Sequence, residues 1–353
     1  MTKISVKDLH ERDVLAKPVE NDNGNILLFE GAEINEDHIE RLIKNGIDSV
    51  YVQDEDDNKK TDAFSIDVIK EDIKENIGEI FEKKIRDDDD SEMPEIIDTA
   101  KEIIQEVVSK PEILNCLINV KRREADVYSH MLSVASLSTI MGIKAGFDET
   151  QLNDVATGAL LHDIGLCDVG VPYENIEMDR MPAADKLNYR KHVIQGYELL
   201  QGCKWLSDTA KMIVLSHHER EDGVGYPFHK IGERIPVEVK LVSICDHFDE
   251  LANGIGYRKR KVHEVVEYFR TSEAYHFNYE LVSLVNRNIA WFPTNCIIIT
   301  NEGETARVIS QNKGLPDRPV IQIIKNADGT ECTEKTIKDL TECLTVFIMD
   351  TVE

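Results

Sequence analysis

Leu160-Leu161-His162-Asp163-Ile164-Gly165 joins an apolar run to a glycine through an adjacent imidazole and carboxylate. The spacing of Val155, Ala159 and Leu160 predicts a helix that ends here. His162 and Asp163 then sit where the backbone can bend and both side chains can face one point. In a straight helix, adjacent side chains point too far apart for that. Upstream, Met131, Val134, Ala135, Leu137, Ser138 and Met141 repeat the same three-to-four spacing. The pattern holds broadly from about residue 96 to 290, which makes the body of the chain a helical bundle.

Further side chains of the same chemistry recur roughly one helix and loop apart: His130, His162-Asp163, His192, His217-His218 and Asp246. Imidazole and carboxylate bind zinc, iron and manganese at neutral pH, and six or seven of them converging would hold two ions bridged by a shared carboxylate. Two such ions suit phosphoester cleavage, because they stabilise both the attacking and the leaving oxygen. Any one of these histidines, like His263 or His276, reads by itself as an ordinary core or surface side chain. Adjacent His-Asp and His-His pairs set this group apart. Asp126 lies four residues before His130 and Asp249 three after Asp246, each sharing a helix face with its neighbour. Both are candidates for a third-metal ligand or for a partner that orients an imidazole.

The chain of 353 residues carries 41 basic and 67 acidic side chains, a formal charge of -26. Such a field repels nucleic acid and anionic membrane surfaces. A small anionic substrate has to be captured by locally placed metal ions, arginine or lysine. Seven scattered cysteines without a Cys-x-x-Cys pair point to neither a disulfide framework nor a zinc ribbon. The opening MTKISVKDLHERD lacks a basic-then-apolar signal pattern, and no run approaches 18 apolar residues. A soluble cytoplasmic protein is expected.

The run His217-His218-Glu219-Arg220-Glu221-Asp222-Gly223-Val224-Gly225-Tyr226-Pro227, some fifty residues after His162-Asp163-Ile164-Gly165, resembles the HD-GYP domain, a branch of the HD-type metal phosphohydrolases. The resemblance covers about residues 120 to 270. It implies a helical fold with two divalent ions, iron or manganese, and room for a third. It also implies hydrolysis of cyclic di-GMP to linear pGpG or GMP by a metal-bound hydroxide. Carried over, His130, His162, Asp163 and Asp246 hold the first metal, and Asp163 bridges to a second held by His192, His217 and His218. Gly225 and Tyr226 become substrate contacts, on a loop the family also associates with protein partners. The sequence is equally compatible with a homodimer. Gly-Tyr-Pro is also a good turn anywhere, and Arg220 and Asp222 read as a pair that holds this loop.

Three positions depart from the family pattern. Leu166 stands where a lysine is usual, Ile255 where an arginine is usual, leaving Arg258 as the phosphate contact, and Asp126 where a glutamate is usual. Each lost charged contact costs about 1.5–3 kcal/mol, or about ten- to a hundredfold in binding or rate. The expectation is an enzyme with weakened turnover. A catalytically weak receptor, or a phosphodiesterase for another cyclic nucleotide, is the alternative. The fold expected is mainly α: an N-terminal α+β module over 1–56, an acidic helical connector over 57–95, the helical catalytic domain over 96–290 and a β-rich subdomain over 291–353.

Overall fold

The computed structural model describes residues 1–53, 64–65, 71–87, 91–110, 117–120, 125–271, 275–332 and 335–352. The DEDDNKK stretch, Val68, Ile69, Asp88 to Asp90 and Cys116 lie outside them.

At the N-terminus, β1 (Thr2–Ser5) pairs antiparallel with β4 (Ser49–Val52), and β2 (Val19–Glu20) with β3 (Ile26–Leu28). The turn between β2 and β3 contains Gly24, whose φ of 78° suits glycine. Helix α1 (Glu36–Lys44) begins where the Asn35 side chain accepts from the His38 amide at 2.8 Å, satisfying a donor the helix start leaves free. Leu15, Leu28, Leu42 and Val50 close a small core of their own. The strand expected at 14–16 is reduced to isolated bridges of Val14 with Glu33 and Leu15 with Val52. This module is pinned to the bundle by Glu33, whose amide donates to the Lys144 carbonyl at 2.9 Å and whose carboxylate pairs with Arg287 at 2.8 Å.

Strand β5 (Phe64–Ser65) pairs parallel with β6 (Ile118–Asn119), and helices α2 (Glu71–Asp87) and α3 (Glu95–Val108) lie between them in the chain. The charged composition of this stretch conceals an apolar stripe: Ile77, Ile80, Phe81, Ile96 and Ala100 are buried in the main core. The acidic residues ride on the outer face of helices that the core requires.

Helix α4 (Val127–Lys144) runs through the middle of the bundle, and every residue from His130 to Lys144 is buried. A helix without a polar face must be surrounded. Helices α5 (Glu149–Leu161), α9 (Val237–Asn253) and α3 pack around it. Short helices α6 (Ala183–Arg190), α7 (His192–Leu200) and α8 (Asp208–Ser216) complete the site side, with α8 packed on α5 and on α7. Helices α10 (Val262–Arg270) and α11 (Tyr279–Asn288) flank α9.

The chain then forms a five-stranded antiparallel sheet. Its spatial order is β10 (Ile337–Asp339), β9 (Val320–Lys325), β8 (Thr305–Ser310), β7 (Ile297–Thr300), β11 (Ile348–Val352). Ile298, Ala306, Val308, Ile321 and Ile323 alternate inward to form a third core. The three expected runs are present. Strands β10 and β11 are additions: β10 is only Ile-Lys-Asp, too short and polar to carry a β signal, whereas the apolar β11, Ile-Met-Asp-Thr-Val, is not among the expected runs.

Phe81, fully buried on α2, tests whether this helix belongs to the core. Phe81→Ala should lower the unfolding free energy by about 3–5 kcal/mol, read as a drop in the urea midpoint. A midpoint equal to that of the unsubstituted protein would show that α2 contributes no packing.

Candidate metal centre

Helix α5 delivers the His-Asp pair. His162 closes it in helical geometry, and Asp163 leaves it at φ -105° and ψ 15°, starting the 3-10 turn Ile164–Asp168. That break lets the two side chains meet. Gly165 supplies room rather than the bend: a Cβ there would lie 2.1 Å from the His192 carbonyl oxygen, so only glycine lets α7 approach this closely. His192 starts α7, His217 and His218 follow the end of α8, and Asp246 lies within α9.

Asp163 stands at the middle. Its Oδ2 is 3.4 Å from Nε2 of both His130 and His162, and its Oδ1 is 3.3 Å from Nε2 of His192 and 3.5 Å from Nε2 of His217. One oxygen thus faces each histidine pair. Asp246 Oδ1 adds contacts at 3.1 Å to His130 and 3.4 Å to His162. The His218 ring lies on the far side, its Nδ1 3.9 Å from Asp246 Oδ2. Ligand atoms of Asp163, His192, His217 and His218 all lie within 4.8 Å of one another, as do those of His130, His162 and Asp163, and those of His162, His217 and Asp246. All these side chains are buried.

The hydrogen bonds on the far side of each ring decide what the near side offers. His162 Nδ1 donates to the Ala159 carbonyl at 2.7 Å, His192 Nδ1 to Tyr189 at 2.7 Å, and His217 Nδ1 to Val214 at 3.0 Å. A carbonyl only accepts, so in the neutral rings the lone pair is on Nε2, and all three point inward. His130 is held likewise by Asp249, with Nδ1 to Oδ2 at 2.8 Å, and Asn253 in turn donates to Asp249 at 3.0 Å. Nε2 then faces Nε2 at 3.2 Å between His130 and His162 and at 3.3 Å between His192 and His217. Buried Asp163 Oδ1 and Asp246 Oδ2 have no hydrogen-bond partner among the described residues. This donor set fits a divalent cation.

Electrostatics agree. Burial works to lower His130 and His162, yet the carboxylates of Asp163 and Asp246, joined by Asp249 at His130, hold the first well above its ordinary pKa and push the second up to about 10. Burial works to raise Asp163 and Asp246, and their histidine neighbours hold both well below the usual carboxylate range. His217 and His218 are lowered, first by burial. The centre is an anionic pocket that retains protons where it could take cations.

The other expected residues fall differently. Asp126 does not join the cluster: it caps α4, accepting from the Ser129 amide at 3.2 Å, and pairs with Lys74 at 2.8 Å. Asp249 orients His130, as above. Gly225 packs backbone on backbone, since a Cβ there would lie 2.4 Å from both the Arg220 nitrogen and the His218 oxygen. Tyr226 stacks on the His218 ring at 4.7 Å, with the Arg190 guanidinium 5.0 Å from the same tyrosine ring. Arg258 is 77% exposed, outside the cluster. Leu166 and Ile255 are both buried. Arg220 and Asp222 hold the loop separately: Arg220 donates to Ser243 Oγ at 2.6 Å, whereas Asp222 pairs with His276 at 2.6 Å.

Two buried carboxylates carry roles the sequence did not suggest. Glu219 accepts from the amides of Phe228 at 2.7 Å and Lys230 at 3.0 Å, fastening the loop after Tyr226. Glu250 lies with His218 and Asp246 in a further group of ligand atoms within 4.8 Å. Burial, then the Asp246 carboxylate, raises its pKa well above the usual range, and its Oε2 lies 2.8 Å from His247 Nδ1. Its place one turn after Asp246 was the available signal.

Comparison with known proteins follows the same lines. A family model described as an HD domain matches residues 91–281, and one described as a KOW domain associated with HD domain matches 297–353. A cyclic di-GMP phosphodiesterase of Pseudomonas aeruginosa is 25% identical over 71% of this chain and 62% of its own length. The 3'3'-cGAMP-specific phosphodiesterase 2 of Vibrio cholerae is 27% identical over 68% of this chain and 43% of its own. The chain therefore spans less than two thirds of either relative. A solved HDG"Y"P protein from Bdellovibrio bacteriovorus shares the fold, with a TM-score of 0.52 at 20% identity over 81% of this chain and 98% of that one.

Two outcomes are expected. Because a cation must displace protons from His130 and His162, whose pKa values are raised, manganese affinity should rise with pH between about 6 and 9, by up to about tenfold per unit for each proton displaced. Calorimetric titration in buffers of different ionisation heat counts those protons, and a pH-independent affinity would contradict the assignment. Asp249→Asn should weaken metal affinity by about 10–100-fold while leaving the fold intact, measured by competition with a chelator and by circular dichroism.

Proposed function

The chain belongs to the HD domain family, in its HD-GYP branch, and from that premise we propose that it is a metal-dependent phosphodiesterase that opens cyclic di-GMP to linear pGpG, GMP or both. The observation that carries this reading is Asp163, which presents one carboxylate oxygen to each of two histidine pairs. His130, His162, Asp163 and Asp246 would hold one ion, and Asp163, His192, His217 and His218 the other. The mixed imidazole and carboxylate donors suit iron or manganese. Bound there, two such ions would polarise the phosphoryl group and activate water as the nucleophile.

The chain's own part is preparation. Backbone carbonyls and Asp249 fix the imidazoles in one tautomer and orientation, so the site pays no reorganisation when ligands bind. Burial around α4 excludes water from the inner face of the cluster. Tyr226 covers His218 with its ring, so its phenolic edge rather than its face is offered to a substrate.

A second reading changes the substrate to another cyclic dinucleotide, and the Vibrio cholerae relative named for 3'3'-cGAMP supports it.

Purification without chelator under low oxygen, quantification of bound iron, manganese and zinc, and chromatography of cyclic di-GMP and 3'3'-cGAMP form the test. About two metal equivalents per chain and a linear product are expected. Asp163→Ala should lose metal and turnover together, because its carboxylate faces both halves of the site. Dinucleotide binding without product at any metal loading would replace the enzyme by a receptor.

A further inference from the structure

Trp291 joins the helical body to the C-terminal sheet. Its ring packs against both cores, and its amide donates to the Pro316 carbonyl at 3.3 Å, which brings the loop before β9 beside α10 and α11. Between them lies a cleft of about 420 Å³, inside the roughly 300–1,000 Å³ range of small-molecule sites. Its lining includes none of the metal-ligand candidates.

The lining offers three kinds of contact. Aromatic surface is the first: Tyr279 is 77% exposed, so its ring face is open to another planar ring, and the Trp291 ring is covered only by the Arg270 guanidinium, 4.9 Å from its centre. The second is unused hydrogen bonding. Trp291 Nε1, which only donates, and Asn286 Oδ1, which accepts, are shut from solvent and have no partner among the described residues. A polar atom left in that state costs about 1–3 kcal/mol, and a ligand edge with one acceptor and one donor would remove both costs. The third is charge. Arg287 is already engaged, its Nη2 donating to Glu33 at 2.8 Å and its Nη1 to Ser283 at 2.6 Å. Arg270 is exposed and has no ion pair among the described residues, and Asp317, the carboxylate on the facing loop, does not neutralise it.

We propose that this cleft is a second nucleotide site, independent of the metal centre, which takes a nucleoside monophosphate with its phosphate on Arg270 and its base among Tyr279, Trp291 and Asn286. The site goes beyond the function proposed above and does not rest on it, although GMP, a product of that reaction, is such a molecule. A guanidinium holds a phosphate through two parallel N–H bonds. In doing so Arg270 swings off the indole and uncovers its edge. A base stacked on an aromatic ring contributes about 1–3 kcal/mol. Inorganic phosphate lacks the ring and a nucleoside lacks the charge, so the site favours the molecule that carries both.

The test is titration calorimetry of GMP, guanosine and inorganic phosphate into the full chain kept in EDTA, so that no metal bridges ligand to the His-Asp cluster. GMP should bind below about 1 mM and at least about tenfold more tightly than either control. Arg270→Ala, at an exposed position, should weaken GMP about ten- to a hundredfold. Asn286→Leu should weaken it about fivefold or more and leave the thermal midpoint unchanged or higher, because it removes a buried oxygen that has no partner. The chain has two tryptophans, so in Trp205→Phe the remaining indole is Trp291, and GMP should change its fluorescence with the same midpoint as the calorimetry. No GMP binding below about 1 mM, phosphate binding as tight as that of GMP, affinity unmoved by both Arg270→Ala and Asn286→Leu, or an unchanged Trp291 signal each overturns the site. These outcomes are read without metal, so they leave the phosphodiesterase reading to its own test.

Discussion

The structure depends on lone pairs being made to face one another. Five imidazoles and two carboxylates converge in a dry interior, and four of the rings are turned by a hydrogen bond on the outer side so that Nε2 points in. Such an arrangement is repulsive unless positive charge sits inside it. Its cost must be met by the packing around it. The raised pKa values of His130 and His162 express the same demand for positive charge, made by the carboxylates beside them.

Close helix approach makes the convergence possible. Gly165 against the His192 carbonyl and Gly158 against Ile213 are places where even a methyl group would collide. They draw α7 and α8 onto α5, and with them His192 and His217. Helix α4 is buried throughout the stretch that follows His130, so this ligand cannot tilt away without opening the core. Site geometry and bundle stability are therefore one property.

Charge is distributed against the overall sign. The chain is strongly acidic and the cluster itself anionic, yet the rim next to Gly256 gathers arginine and lysine. Leu166 and Ile255 are buried in the bundle, so neither position brings a positive charge to the cluster.

The helical body, the seven metal-ligand candidates and the β-rich end were legible in the sequence, because helical periodicity and the chemistry of His-Asp and His-His pairs are local properties. The sequence by itself thus determined that side chains suited to metal would recur at this spacing and that helices would carry them. What each neighbouring carboxylate does was not legible. Asp126 and Asp249 have the same chemistry and similar spacing from a ligand, yet one caps a helix beside Lys74 and the other turns His130. Glu219 and Glu250 look like surface glutamates and are buried. The tertiary structure alone decided these, since a carboxylate's role follows from which partners the fold brings within about 3 Å of it: Lys74 for Asp126 and His130 for Asp249 come from distant helices, and the amides of Phe228 and Lys230 for Glu219 from the path of a loop.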